Sequence, residues 1–191
     1  MRQLQTARGA SIAGETPVAP DENSRPARAK LIGLFAAVAV AGVLLDLAAK
    51  MLAVRHLDPE APIRLLGGLL TLRLIRNPGA AFSLGERFTY VFAILAIGVL
   101  LFILIRLVPR LAHVGWAVAL GLLCAGITGN LIDRLFRAPG VFRGHVVDFF
   151  QLPHFAIFNV ADMCITAAAV LIIVLAMIKG VGLDGTRYPR G

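Results

Sequence analysis

Four long apolar runs constrain the fold of this chain more than any other feature. They cover residues 31–54, 88–107, 113–131 and 160–178, and a helix needs about 20 mostly apolar residues to cross the hydrocarbon core of a bilayer. The chain is 58% hydrophobic and its mean hydropathy is +0.81, which a soluble domain rarely reaches. The sequence therefore predicts a polytopic α-helical membrane protein, with four transmembrane helices in one domain over residues 31–180.

The tails predict the orientation of these helices. Residues 1–30 combine Pro, Ser, Gly and Ala with basic residues and are predicted to be a disordered basic tail, and residues 181–191 a short polar tail. Arg25, Arg28 and Lys30 come directly before the first span, and such a cluster favours cytoplasmic termini. For the same reason we interpret the net charge of +8 as basic segments beside a membrane and expect no nucleic-acid partner.

The loop between the first two spans contains a predicted hairpin. Residues 70–76 partly alternate apolar and polar side chains, which indicates a β-strand. Residues 63–66 are its expected partner across Gly67 and Gly68, and Asn77-Pro78-Gly79 ends the strand. We therefore expect a small extracytoplasmic β-sheet lying on the membrane surface.

Polar residues of the four-span arrangement gather at one membrane face. The end of the first span, the end of the third, the start of the fourth and both long loops, 55–87 and 132–158, all lie at that face. Charges at the edge of a span are expensive and are functional candidates. A proton or ion transporter would distribute them through the membrane, so the pattern favours chemistry on a substrate that arrives at one leaflet. The candidates are Asp46, Lys50, Asn77, Asn130, Asp133, Arg134, Asp148 and Asp162.

The residues at this face are compatible with more than one chemistry. Ser83 lacks a Gly-x-Ser-x-Gly setting. A zinc site built from His145, His154 and the nearby aspartates is an alternative, although no His-Glu-x-x-His is present. Two aspartates are the simplest catalytic unit, because adjacent carboxyls share one proton, so that one activates water while the other polarises a carbonyl. A membrane assembly factor or small transporter is the non-enzymatic alternative, and it should survive isosteric loss of either aspartate.

Five motifs, in order along residues 31–180, resemble those of the lipoprotein signal peptidase (signal peptidase II) family. One is the pair Asp46 and Lys50, four residues apart. The other four are Asn77-Pro78-Gly79-Ala80-Ala81-Phe82-Ser83, Gly129-Asn130-Leu131-Ile132-Asp133-Arg134, Val146-Val147-Asp148-Phe149 and Phe158-Asn159-Val160-Ala161-Asp162.

The resemblance implies a bacterial aspartyl endopeptidase of the cytoplasmic membrane, with four transmembrane helices, a small outer β-sheet and a short surface helix. It implies removal of the signal peptide from prolipoproteins just before a diacylglyceryl-modified cysteine, without a metal or cofactor. The expected partners are these precursors and membrane lipids, and the expected state is a monomer. The catalytic pair maps onto Asp148 and Asp162. Positions that shape or support the site are Asp46, Lys50, Asn77, Gly79, Asn130, Asp133, Arg134, Asn159 and Ala161.

Some of these residues are also expected to have structural roles. Asp46 and Lys50 are expected to form an ion pair that holds the wall of the site. Asp133 with Arg134 is expected to be an ion pair at the end of a helix. Asn130 and Asn159 either cap helices or order the site. Ile127 and Met163 depart from the family pattern and leave the pocket shape open. Asp148 and Asp162 meet only if residues 149–161 fold back, with Pro153 as a turn.

Overall fold

The computed structural model describes residues 24–79 and 89–188. Its four helices are α1 (Ser24–His56), α2 (Thr89–Phe102), α3 (Val114–Phe136) and α4 (Val160–Ile173). The π-helical segment Ile103–Leu107 and the 3-10 helical turn Val108–Arg110 extend α2. The π-helical segment Val174–Ile178 extends α4. With these extensions all four helices are long and apolar enough to cross a membrane. The predicted four-span architecture is confirmed.

Two helix boundaries differ from the predicted ones. Helix α1 begins at Ser24, so residues 24–30 of the predicted tail are helical, while residues 1–23 lie outside the described residues. Helix α3 continues past the predicted end at Leu131 to Phe136. Hydropathy placed the end too early because polar residues of the last turns face the bundle interior. Asp133 and Arg134 are therefore helical residues, not loop residues.

Helix α3 is the centre of the bundle and packs against α1, α2 and α4. Small residues set the close approach of the helices, as is typical in membranes. A methyl group added at Gly42 of α1 would lie 2.6 Å from the Cβ atom of Ala125 in α3. One added at Gly126 of α3 would clash with the carbonyl oxygen of Ala161 in α4. These contacts bring the polar ends of three helices within hydrogen-bonding reach of one another.

The sheet is antiparallel and has the order β1 (Ile63–Leu65), β2 (Leu70–Asn77) and β3 (Val146–Gln151). The predicted hairpin is confirmed: Leu65 pairs with Leu70 across the one-turn helix Leu66–Gly68, where Gly67 has a φ angle of 68°. Within the described residues this turn is the only helical segment between β1 and β2. Residues 80–88, which include Ser83, lie outside the described residues.

Strand β3 was missed by the sequence analysis, which treated residues 132–158 as a loop. Its apolar run does not alternate with polar residues, so period-two reasoning could not detect it. The register shifts between Leu72 and Ile75, and beyond the shift Ile75 pairs with Asp148 and Asn77 pairs with Val146. The sheet thereby holds Asp148 close to the end of β2.

The opposite end of the bundle is closed by residues 179–188. Val181 and Arg187 form a β-bridge, the Trp116 indole donates to the Val181 carbonyl oxygen at 3.0 Å, and the Ala112 amide donates to the Leu183 carbonyl oxygen at 3.1 Å. Leu183 packs on the apolar core at this end. The described part of the predicted polar tail is thus folded against the start of α3.

Candidate active site

Lys50 is the hub of a buried ionic cluster. Its ammonium lies 2.8 Å from a carboxylate oxygen of Asp46 and 2.8 Å from one of Asp133. It also donates to the Asn130 side-chain oxygen at 3.0 Å. All three charged side chains are 0% exposed. The predicted ion pair of Asp46 and Lys50 is present, and three acceptors match the three N–H groups of the ammonium. A buried charge needs such complete pairing.

Asp133 connects this cluster to the sheet. It forms an ion pair with Arg137, one helical turn later, and accepts a hydrogen bond from the Val147 amide at 3.1 Å. The predicted pair of Asp133 with Arg134 is wrong, because residues four apart share a helix face whereas adjacent residues do not. Asp133 therefore anchors the strand that carries Asp148.

Asp46 connects the same cluster to α4. Its second carboxylate oxygen accepts from the Ala161 amide at 2.8 Å, an amide in the first turn of that helix. Gly129 makes room for this carboxylate, since an added methyl group would lie 2.5 Å from Asp46 Oδ2. Ala161 is fully buried. Both the amide and the small side chain of Ala161 thus fit its predicted supporting position.

Asn159 caps α4 and orients Asp162. The Asn159 side-chain oxygen accepts from the Asp162 amide at 3.0 Å, and an Asp162 carboxylate oxygen accepts from the Asn159 amide at 3.1 Å. This reciprocal pair is a capping box. The predicted cap is confirmed for Asn159. Asn130 is not a cap, because it lies inside α3.

The segment between the two aspartates folds back as expected. The amides of Phe149 and Phe150 both donate to the Phe158 carbonyl oxygen, at 3.1 and 2.9 Å. The turn between them contains Pro153, and the Phe155 amide donates to the Leu152 carbonyl oxygen at 3.2 Å. This closed loop returns the chain from β3 to the first turn of α4.

Two asparagines join the carboxylates of Asp148 and Asp162. The Asn159 side-chain amide donates to Asp148 at 2.6 Å and to the Asn130 oxygen at 3.1 Å. The Asn130 amide donates in turn to Asp162 at 2.8 Å. Asn77 donates to the other oxygen of Asp148 at 2.9 Å. Each carboxylate is therefore positioned by neutral donors from separate elements.

Burial changes the acidity of Asp148, which is 2% exposed. Loss of hydration raises its pKa to about 6, and the nearby Asp162 carboxylate adds to the rise. Hydrogen bonds from Asn77 and Asn159 and the charge of Lys50 lower the pKa of Asp148 by smaller amounts. Both protonation states of Asp148 are accordingly accessible near neutral pH.

Comparison with known proteins identifies the family. The family described as Signal peptidase (SPase) II, peptidase A8, matches residues 38–178. This chain belongs to the signal peptidase II family.

Relatives and solved structures agree with that membership. The lipoprotein signal peptidase of Streptomyces griseus is 46% identical over 178 residues, covering 93% of this chain and 89% of the relative. That of Rhodococcus jostii is 47% identical over 150 residues, covering 78% and 75%. A bacterial membrane enzyme solved by the in meso method at 2.3 Å resolution superposes with a TM-score of 0.63 and is 27% identical. The match to that structure covers 83% of this chain and 95% of the other.

The remaining supporting residues predicted from the sequence are Gly79 and Arg134. Gly79 has a φ angle of 111°, and its amide donates to the Asn77 side-chain oxygen at 2.9 Å. This turn leaves the Asn77 amide group directed at Asp148. Arg134 donates to the Asn130 carbonyl oxygen at 3.0 Å, and its guanidinium lies 5.7 Å from the centre of the Phe92 ring.

Two apolar grooves flank the site of this signal peptidase II family member. One, of about 240 Å³, runs between α2, α3 and α4 and ends at Asn130 and Arg134, with Ile127 in its wall. The other, of about 380 Å³, lies between the end of α1 and the sheet, beside Phe149 and Phe150. Met163 is exposed. Of the two departures from the family pattern, Ile127 therefore lines a groove that reaches the site.

Two outcomes differ from the sequence analysis: Asp133 has a charged partner, Arg137, that was not predicted, and the alternative zinc site does not form among the described residues. Arg137 was passed over, although its spacing of four from Asp133 is a helical signal. In the ranges 24–79 and 89–188, His145, His154 and the aspartates do not gather into a group of three or more suited to a metal ion.

Proposed function

We propose that this chain is an aspartyl endopeptidase that removes signal peptides from prolipoproteins, with Asp148 and Asp162 as its catalytic residues. The observation that carries the proposal is the amide bridge of Asn130 and Asn159 between the two carboxylates. Among the described residues neither carboxylate forms an ion pair. Both are therefore free to exchange protons with a substrate.

The proposed chemistry follows from the raised pKa of Asp148. Protonated Asp148 donates to the scissile carbonyl oxygen, and ionised Asp162 takes a proton from the attacking water. The water oxygen bonds to the carbonyl carbon, and the carbonyl oxygen receives the Asp148 proton. Asp162 then gives its proton to the amide nitrogen as the C–N bond breaks, and Asp148 recovers a proton from the resulting diol. Both residues end in their starting states.

The supporting residues keep the pair in place during this cycle. Asn77, Asn130 and Asn159 donate to the carboxylates, while the Lys50 cluster joins α1, α3 and, through Asp133, β3. Such preorganisation matters because small displacements of reacting groups lower rates strongly. The ionic cluster thus supports the site without touching the substrate.

The substrate is proposed to be a diacylglyceryl-modified precursor cut just before its lipidated cysteine. The apolar groove that ends at Asn130 and Arg134 lies between transmembrane helices, so acyl chains can stay in the leaflet while the peptide bond reaches the aspartates. We expect lipidated prolipoprotein to be cleaved by the purified protein and the unmodified precursor to be cleaved at least about 100-fold more slowly, because remote binding energy contributes to the rate. Equal turnover of the two precursors would contradict this substrate.

We further propose that the aspartates face the outside of the cytoplasmic membrane, that both termini are cytoplasmic and that the chain acts as a monomer. The support for the orientation is the basic cluster before α1. Ser24→Cys and Ser83→Cys provide a test in intact cells, in a background where the buried Cys124 and Cys164 are replaced by Ala. A membrane-impermeant maleimide should label position 83 and not position 24. Labelling of position 24 alone would reverse the orientation.

A further inference from the structure

A second cavity lies at the end of the bundle opposite the aspartates. It has a volume of about 350 Å³ and lies between the start of α1 and the turn that joins α2 to α3. Arg28 and Arg110 line it together with the apolar side chains of Leu31, Pro109 and Leu111. Leu111 is fully buried and belongs to the apolar core at this end. The cavity is therefore lined by two arginines and by apolar side chains.

The surroundings of this cavity are strongly basic. Within the described residues, this end carries a single carboxylate, Asp184, which already accepts hydrogen bonds from the amide and hydroxyl of Thr186 at 3.1 and 2.7 Å. Among the residues that the structure describes, the basic side chains at this end form no ion pair. These side chains are Arg28, Lys30, Arg106, Arg110, Lys179 and Arg187. The field at the cavity consequently favours an anion.

We propose that this cavity binds an anionic glycerophospholipid of the membrane. The phosphate would be held between Arg28 and Arg110, because guanidinium groups match phosphate oxygens in geometry and charge. The first part of an acyl chain would lie on Leu31 and Leu111. The ends of α1 and α2 place the cavity at the depth of the lipid headgroups. A zwitterionic lipid would bring its own cation toward this basic end, so the anionic headgroup is preferred.

The bound lipid has a structural consequence that does not depend on cleavage chemistry. It would link the first turns of α1 to the α2–α3 turn, two segments that come from separate spans. Anionic lipid should therefore raise the melting temperature of the purified protein more than zwitterionic lipid does. Because the site lies at the far end from Asp148 and Asp162, removing the two arginines should leave cleavage in detergent unchanged.

The test compares two double variants of the full chain that lose the same charge. Arg28→Gln with Arg110→Gln removes both guanidinium groups of the cavity, whereas Lys30→Gln with Lys179→Gln removes two exposed cations from the same end that do not line it. Binding of phosphatidylglycerol and of phosphatidylcholine is measured by native mass spectrometry and by melting temperature in detergent. Salt at about 0.15 M screens charges that are not in contact with the lipid. Normal cleavage by each variant verifies that it is folded.

We expect the cavity variant to bind phosphatidylglycerol about tenfold more weakly or worse, and the control variant to change by no more than about twofold. Equal weakening in both variants would overturn the proposal, because it would mean attraction by the general surface charge. Equal binding of phosphatidylglycerol and phosphatidylcholine by the unaltered protein would also overturn it. If inorganic phosphate alone reproduced the rise in melting temperature, the ligand would be a free anion and the lipid assignment would be wrong.

Discussion

Two pairs of aspartates lie at the same end of this bundle and differ in their partners. Asp46 and Asp133 surround the ammonium of Lys50 and are fully buried, whereas Asp148 and Asp162 are joined by the side chains of Asn130 and Asn159. Asn130 contacts both groups, since it accepts from Lys50 and donates to Asp162. A cation in contact with a carboxylate favours its ionised form, whereas burial without such a contact raises the pKa of Asp148 and leaves its protonated form accessible. The difference separates carboxylates that hold helices together from the pair that is proposed to move protons.

The strongest test of this contrast removes the proposed catalytic carboxylates. Asp148→Asn and Asp162→Asn should each lower prolipoprotein cleavage by at least about 10³-fold, because each removes one half of a unit. The double variant should be no worse than either single variant, since the losses of one unit do not add. Cleavage assays on purified proteins measure this, with Asp58→Asn as the control, an exposed aspartate in the loop after α1. Near-normal cleavage by either single variant would contradict the aspartyl mechanism.

A second test breaks the ionic group instead. Lys50→Met should destabilise the fold by about 3 kcal/mol, because it leaves the buried carboxylate of Asp46 without a cation and removes one of the two cations that contact Asp133. Asp46→Leu combined with Lys50→Met should recover only part of the loss, since Asp133 keeps only Arg137 as its charged partner. Thermal unfolding in detergent measures both variants, and Lys30→Met, at an exposed lysine, is the control. Additive damage in the double variant would argue against the pairing.

The smallest effect concerns the acidity of Asp148. Cleavage should give a bell-shaped pH profile whose alkaline limb falls as pH rises through about 6, where Asp148 loses its proton. Asn77→Ala removes a hydrogen bond that stabilises the ionised form, so the pKa of Asp148 should rise and the alkaline limb should move to higher pH. The readout is kcat/KM against pH, and Gln151→Ala, on the same strand as Asp148, is the control. A limb that stays in place or moves to lower pH would contradict the role given to Asn77.

The sequence predicted what depends on local signals. The β1–β2 hairpin follows from alternation around Gly67 and Gly68, and the cap at Asn159 follows from its place before an apolar helix. The partners of Asp133 could not be found in this way, because Lys50 lies on another helix and the last turns of α3 were assigned to a loop. Strand β3 was missed because both of its faces are buried near Val147 and Asp148. Hydropathy cannot separate such a strand from other apolar segments.

The spacing of the ionic cluster has a consequence for membrane insertion. Asp46 and Lys50 are one turn apart on α1, and Asp133 and Arg137 are one turn apart on α3. Each of the two pairs thus contains one acid and one base and has no net charge before the two helices meet. Because α1 is synthesised long before α3, this internal pairing lowers the energetic barrier to placing its charged residues in the membrane. The buried cluster can therefore form by joining two neutral dipolar pairs instead of bringing bare ions together.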